Sequence, residues 1–313
     1  MIGTHEILPR ASIGTAVGTN DVGAAELLRN ADVAMYDAKA QGNCEYKLFA
    51  ASMVEGNVAR MLLATDLRHA VEDGCSEFEL HYQPIINLVT GDLRAAEALA
   101  RWRHPEKGLV PPGEFIPVAE ATGLIIPLGR WLLSEACRCI RELQTSHEAA
   151  ADLQVSVNLS IRQLHDPTLV DDLARVLDTT GLDPGALTLE ITESMLMIDV
   201  EMSLRRLTEL KALGVDLALD DFGIGCSSLG YLRQFPVDVL KVDKDFIDDV
   251  ADVESDTAGI ARAVITLGHA LGLRVVAEGI EHLDQMAQLH RSGCDLGQGF
   301  LIARPMTADA LED

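Results

Sequence analysis

Aromatic residues are scarce in this 313-residue chain, at 4%, and no apolar run approaches the roughly 18 residues that a membrane helix needs. The richest apolar stretch, Gly123 to Leu133, is broken by Pro127 and Arg130. No membrane-spanning segment is therefore expected. The N-terminus, Met1-Ile-Gly-Thr-His-Glu, lacks the basic-then-apolar pattern of a secretory signal. A cytoplasmic location is expected, with any membrane tether supplied by segments outside this sequence. Basic residues are also short. Lys and Arg number 25 against 49 Asp and Glu, a formal charge of -24, and no basic run occurs. Binding to a nucleic acid polymer is not expected, because phosphate contacts need clustered cations. A small phosphate ligand is still compatible with this charge if metal ions stand between the two sets of negative groups. The six cysteines (Cys44, Cys75, Cys137, Cys139, Cys226 and Cys294) contain no CxxC pair. Cys137 and Cys139, two apart in a helical pattern, point to different faces and cannot share a zinc, so reduced packing cysteines are expected.

What is present is 48% hydrophobic residues, enough for a globular core. Three stretches separate. Residues 1–50 hold a strand-like run, Ala11 to Val17, and a helical pattern from Ala24 to Ala40 closed by Gly42. Fifty residues can hardly bury a stable core alone, so this piece reads as a partial α+β fragment of something larger. Residues 51–76 read as a linker helix: Met53, Val54, Val58, Met61, Leu62 and Ala70 recur at helical spacing, and Gly74 ends it. From residue 77 to 313, strand-like runs alternate with helical stretches. The strands are expected at Glu79–Ile85, Arg94–Arg101, Gln154–Leu159, Leu187–Ile191, Asp216–Leu219, Val239–Val242, Arg274–Ala277 and near Gly297–Leu301. Helices such as Leu128–Leu143, Pro167–Thr179, Ser203–Leu213 and Thr257–Leu271 lie between them. Eight strands with mostly helical crossovers fit an α/β fold of the TIM-like (β/α)8 barrel class. The first two strands are joined only by the hairpin-length Asn87-Leu-Val-Thr-Gly-Asp, so that pair is expected to be antiparallel.

Polar residues interrupt these strands in a pattern. Asn158 follows Val155-Ser-Val, Glu190 follows Leu187-Thr-Leu, and Asp220 and Asp221 end Leu217-Ala-Leu. Lys241 follows Val239-Leu, Glu278 follows Val275-Val-Ala, and Glu97 lies inside Ala95-Ala-Glu-Ala-Leu-Ala. Apart from Glu97, each sits near the carboxyl end of its strand, where barrel enzymes place their sites. Singly, each has an ordinary explanation: a rim glutamate, a turn-capping aspartate pair, a loop-tying asparagine, an ion-paired lysine. Together they would cost several kcal/mol per unpaired buried charge, and one lysine cannot offset that. Divalent metal is the economical answer. Glu, Asp and Asn oxygens suit Mg2+ or Mn2+, and adjacent carboxylates at Asp220 and Asp221 could serve two ions about 4 Å apart.

These residues carry a resemblance. From about residue 78 to 306 the chain resembles the EAL-type cyclic-di-GMP phosphodiesterases. The triplet that names the family stands as Glu97-Ala98-Leu99. Accompanying motifs are Tyr82-Gln-Pro, Phe115-Ile-Pro-Val-Ala-Glu, Ser156-Val-Asn-Leu-Ser, Glu190-Ile-Thr-Glu, Asp220-Asp-Phe-Gly, Leu240-Lys-Val-Asp, Ala277-Glu-Gly-Ile-Glu and Gln298-Gly-Phe. A lone Glu-Ala-Leu would mean little; this series in order is specific. The resemblance implies that Glu97, Asn158, Glu190 and Asp220 hold one metal ion, and that Asp220 bridges to a second held by Asp221 and Glu278. It implies that Lys241 contacts the attacking water and the developing phosphate charge, and leaves open whether Glu278 or a metal-bound hydroxide is the base. It implies substrate contacts from Gln83, Arg101 and Gln298, and hydrolysis of cyclic di-GMP to linear pGpG. Ala100 replaces a usually larger apolar residue, and Ile224 and Cys226 depart from the common pattern after Asp221; none is a ligand position. Relatives that only sense the nucleotide typically lose ligands, and all stand here, which favours an enzyme over a receptor.

Residues 1–50 resemble the final third of a GGDEF (diguanylate cyclase) domain through Ala11-Ser-Ile-Gly and Ala31-Asp-Val-Ala-Met-Tyr-Asp-Ala-Lys. The nucleotide-binding half is absent, so no cyclase activity is expected. One further expectation concerns the loop from Phe222 to Leu232, where Gly223 and Gly225 leave the backbone free after Asp221. Glu193 is expected to anchor it through Ser227, Ser228 or backbone amides. The resemblance implies that this loop links the site to a homodimer interface on the barrel.

Overall fold

A computed structural model describes residues 11–18, 23–40, 46–223, 232–252 and 255–312. The chain divides into two compact units, Met1–His69 and Ala70–Asp313. Gly42, Cys44, Cys226 and the part of the expected control loop that holds Ile224, Gly225, Ser227 and Ser228 lie outside the described residues.

In the first unit, strands β1 (Ile13–Thr15) and β2 (Tyr46–Leu48) pair in parallel, and helix Ala24–Ala40 serves as their crossover. The helix lies close on the strand: a Cβ on Gly14 would fall 2.0 Å from Ala31 O. Helix Ala51–Glu72 follows. Its buried stripe differs from the expected one. Leu63 and Leu67 are buried, and Ala70 and Val71 continue the stripe, whereas Val54, Val58, Met61 and Leu62 are exposed. The helical period alone could not tell which of two apolar faces is covered.

The second unit is a closed barrel. Its strands are β3 (Phe78–Asn87), β4 (Leu93–His104), β6 (Gln154–Asn158), β7 (Leu187–Thr192), β8 (Asp216–Phe222), β9 (Val239–Val242), β10 (Arg274–Ala277) and β11 (Leu296–Gly297). They run in the order β3-β11-β10-β9-β8-β7-β6-β4, closed by the β3–β4 pair. From β4 round to β11 every neighbouring pair is parallel. As expected, β3 and β4 are antiparallel, and β3 is antiparallel to β11 as well. One strand against seven is therefore reversed, because a five-residue turn leaves no room for a crossover helix.

A short strand, β5 (Gly108–Val110), was not legible in the sequence. It pairs antiparallel with the outer end of β4. Only Ala95–Ala98 of β4 bond to β6, so the second half of β4 overshoots the barrel. The overhang is anchored by stacking of Phe78 on Trp102, ring centroids 5.6 Å apart, with Phe115 meeting Trp102 edge-on. The last strand is shorter than expected. After Gly297 the chain turns at once, with Ile302 and Ala303 amides donating to Gly299 O. The turn requires glycine at 299, where a Cβ would lie 2.1 Å from Ile280 O.

Candidate active site

The barrel interior is built in layers, because alternate residues of each strand point inward. Ile85, Ala95, Ala218, Val239, Val276 and Leu296 form one apolar layer. Ser156 and Thr188, buried on β6 and β7, occupy the equivalent strand positions. Two residues further toward the open end of each strand stand Glu97, Asn158, Glu190, Asp220, Lys241, Glu278 and Gln298. On the reversed strand β3, Gln83 is two residues earlier than Ile85. One step up a sealed barrel thus replaces an apolar layer with a polar one. Glu97 belongs to it although it lies mid-strand, since Gln83 of the same layer pairs with it, Asn158 bonds to it and β4 overshoots the rim.

Lys241 stands at the centre. Its ammonium is 2.6 Å from Glu190 Oε2, 2.5 Å from Glu278 Oε1, 3.6 Å from Asp220 Oδ1 and 3.7 Å from Glu97 Oε2. Burial alone would lower its pKa, but the four carboxylates outweigh burial and hold it well above the ordinary lysine value. Burial pushes Glu190 well up, aided by the neighbouring carboxylates and opposed by Lys241. Burial also raises Glu97, yet Lys241 and the amides of Gln298 and Asn158 outweigh it and leave Glu97 below the usual carboxylate range. Asn158 Nδ2 donates to Glu97 Oε1 at 2.7 Å, and Gln298 Nε2 donates to Glu97 Oε2 at 2.7 Å and to Gln83 Oε1 at 2.9 Å. Burial raises Glu278 to about 7.

Asp221 reaches this group by a backbone device. Consecutive residues of a regular strand face opposite sides. Here the β8–β9 register breaks between Leu219 and Phe222, and Asp221 adopts φ 53, the left-handed region. Burial, with Asp220 and Asp243 beside it, pushes its carboxyl up to about 6. Asp243 closes the Leu240-Lys-Val-Asp motif. It caps helix Lys244–Ile247 by accepting from the Asp245 amide, and it also faces Asp221. A residue that follows an end-of-strand lysine and opens a helix was the available signal.

Two expected residues stand apart from the cluster. Arg101 is on the overhang of β4, and its Nη1 donates to Ala100 O at 2.9 Å. Glu193 is buried at the start of the short helix Glu193–Leu196, directly after β7. A cleft of about 240 Å3 opens beside the polar layer, lined by Gln83, Glu97, Leu99, Glu278, Gln298 and Phe300.

The residues fit a divalent cation by their chemistry. Five carboxylates share one lysine, and every further donor is an amide oxygen, as hard cations require. Asn158 uses its NH2 on Glu97, which leaves its amide oxygen for a ligand. Glu278 Oε1, though close to Lys241, is buried without an aligned hydrogen bond, as is Gln298 Oε1. Among the described residues no three Asp, Glu, His or Cys side chains are arranged to hold a metal as they stand. Lys241 occupies the space between the carboxylates, so the acceptors turn toward its ammonium.

The family described as "EAL domain" matches residues 64–305. The chain is 45% identical over 312 residues to the bifunctional diguanylate cyclase/cyclic di-GMP phosphodiesterase MucR of Pseudomonas aeruginosa, covering 99% of this chain and 45% of that protein. It is 41% identical over 305 residues to the cyclic di-GMP phosphodiesterase NbdA of the same organism, covering 97% of this chain and 38% of that one. The chain thus spans less than half the length of both relatives. A solved structure of the PaMucR phosphodiesterase as a c-di-GMP complex superposes with a TM-score of 0.75 at 45% identity, covering 80% of this chain and 99% of that one.

Proposed function

The chain belongs to the EAL domain family, and on that premise we propose that it is a metal-dependent phosphodiesterase that opens cyclic di-GMP to linear pGpG in bacterial second-messenger signalling. The observation that carries this reading is the ring of Glu97, Glu190, Asp220 and Glu278 around Lys241 at one level of the barrel. No structural need explains four carboxylates gathered on one lysine, with Glu97 and Glu190 buried. The named activities and the bound nucleotide of the relatives supply the substrate.

Glu97, Asn158, Glu190 and Asp220 would hold one Mg2+ or Mn2+ ion, and Asp220, Asp221 and Glu278 would hold a second. When bound, the ions supply Lewis-acid activation of water and neutralise charge on the phosphate. The chain's own residues do the rest. Lys241 donates hydrogen bonds to the incoming water and to the phosphate oxygen on which charge develops. Glu278, at the edge of the cleft, accepts the proton that water loses as its oxygen bonds to phosphorus. The bond from phosphorus to one 3′ oxygen breaks, that oxygen takes a proton from bulk water, to which Glu278 releases the one it gained, and the product carries a 3′ hydroxyl and a 5′-phosphate. Gln83 and Gln298 orient the substrate from the far side of Glu97, and Arg101 contributes a phosphate contact from the overhang. Glu193 positions the segment after Asp221, through which pairing of two barrels tunes the site. Residues 1–50 are the C-terminal part of a GGDEF-like domain and 51–76 the linker, in a chain that works in the cytoplasm. Incubating the purified chain with cyclic di-GMP and Mg2+ or Mn2+ and resolving the products tests the reading. Linear pGpG is the expected product; intact cyclic di-GMP with either ion would overturn it.

A further inference from the structure

Asp221 and Glu278 come from strands that are not neighbours. β9 lies between β8 and β10, so no hydrogen bond of the sheet joins their two ends directly. Each carboxylate is followed by a glycine in the left-handed region: Gly223, two residues after Asp221, has φ 104, and Gly279, next to Glu278, has φ 69. Both glycines are closely covered, and by one element. A Cβ on Gly223 would fall 2.9 Å from Phe246 Cε2, and a Cβ on Gly279 would fall 2.5 Å from Lys244 Cγ. Lys244 and Phe246 belong to the one-turn helix Lys244–Ile247 that follows β9.

That helix is held at both ends. Asp243 caps its start by accepting from the Asp245 amide at 2.7 Å. At its end Ile247 is fully buried, and Gln285 Nε2 donates to Ile247 O and Asp248 O, each at 3.2 Å. Gln285 Oε1 accepts from the Glu281 and His282 amides at 2.8 and 2.9 Å. One buried side chain thus ties the helix to the segment after Glu278. On the other side, Phe222 pairs with Val242, directly before the cap. Glycine at both contacts lets the Phe246 ring and the Lys244 methylenes lie against bare backbone. Packing this close passes any shift of the helix to the carboxylate one or two residues away.

We propose that helix Lys244–Ile247 is the spacer that sets the distance between Asp221 and Glu278, with Phe246 and Lys244 as positioning residues for the ion these carboxylates share. This rests on the ligand assignment in the proposed function. A fixed spacing favours Mg2+, which demands near-ideal octahedral geometry at about 2.0–2.1 Å, over Ca2+, which accepts looser shells at about 2.3–2.6 Å. The spacer is thereby a determinant of cation preference, made of side chains that touch no cation.

Calorimetric titrations of substrate-free wild type, F246A, K244A and K244M with Mg2+ and with Ca2+ are the test. Wild type is expected to take up two Mg2+ ions. F246A and K244A should weaken one of them about 10- to 100-fold, the range for residues that hold a ligand in place, and the other by less than about threefold. Ca2+ affinity should move by less than about threefold throughout. K244M keeps a flexible stem over Gly279 and should bind as wild type does, which separates packing from the Lys244–Glu281 ion pair at 2.6 Å. Lys244 is exposed, so K244A decides the question where F246A fails to fold. Wild-type Mg2+ affinity in K244A or in folded F246A would overturn the spacer. So would equal weakening of Mg2+ and Ca2+, or a K244M chain as weak as K244A. Uptake of a single Mg2+ by wild type would remove the shared ion and the spacer with it. Wild type that takes up two ions but leaves cyclic di-GMP intact would sink the phosphodiesterase reading alone, with the Kd series still deciding the spacer.

Discussion

Lys241 on β9 and Glu190 on β7 meet across the barrel, ammonium to carboxylate at 2.6 Å, with both side chains all but sealed from solvent. Three more carboxylates look at the same ammonium. The lysine is thus the central counter-ion of the cluster, and on the proposed function it would share these partners with divalent ions.

Removing metal should remove activity and stability together. Hydrolysis of cyclic di-GMP is expected with Mg2+ or Mn2+ and is expected to stop in excess chelator. Ca2+ should inhibit, since it prefers longer and looser coordination than in-line attack needs. A cation at 100 times its Kd adds about 2.7 kcal/mol to the folded state. Turnover and melting temperature measured across a metal titration check both. Unchanged turnover in chelator would remove the ions from the mechanism.

Lys241→Met separates the two roles of the lysine. Without metal it strands Glu190 among like charges, and a loss of about 3–5 kcal/mol is expected. Saturating Mn2+ should narrow that gap, whereas turnover should stay at least about 100-fold down because the donor to the phosphate is gone. Denaturation midpoints with and without Mn2+, beside kinetics, are the readout. A metal-free variant as stable as wild type would contradict the central ion pair.

Glu97→Ala deletes the acceptor for both Asn158 and Gln298. Turnover should fall by two or more orders of magnitude, while some affinity for cyclic di-GMP survives through the other motif residues. The exposed Asn158 amide can turn to water and the buried Gln298 amide keeps Gln83 Oε1 as an acceptor, so the loss of stability should stay at or below about 1 kcal/mol. Near wild-type turnover would show that Glu97 is no ligand.

The pH response should reverse sign when metal is added. In the metal-free chain Glu278 is raised to about 7 and Asp221 to about 6. Between the ordinary carboxylate range and those values the folded state binds more protons than the unfolded one, so metal-free stability rises as pH falls from 8 to 5. The same protons compete with cations for the same oxygens, so metal affinity falls over that range. Melting curves at pH 5, 6, 7 and 8 should show the gain from Mn2+ shrinking with acidity. A gain that is constant across that range would rule the coupling out.

The succession of strands and helices was legible from residues alone. Val239–Val242 and Arg274–Ala277 begin and end where the β-branched runs do, and the five-residue link sufficed to set β3 against β4. The polar interruptions at 158, 190, 220, 241 and 278 were legible too, because a charged residue at the end of an apolar strand needs no neighbour to be conspicuous. What lay beyond the sequence was depth. Glu97 sits mid-strand, and only pairing with Gln83, together with the overshoot of β4, brings it to the level of the others. Asp221 by its number faces away from Asp220, and only a register break and a left-handed φ turn it back. The buried face of helix Ala51–Glu72 and the early turn at Gly299 were decided by which surfaces approach it and by the nearness of Ile280. Periodicity is a property of one strand or helix, so one chain's order of residues carries it. Register, overshoot and close approach are relations between elements distant in sequence, and they exist only after the barrel closes.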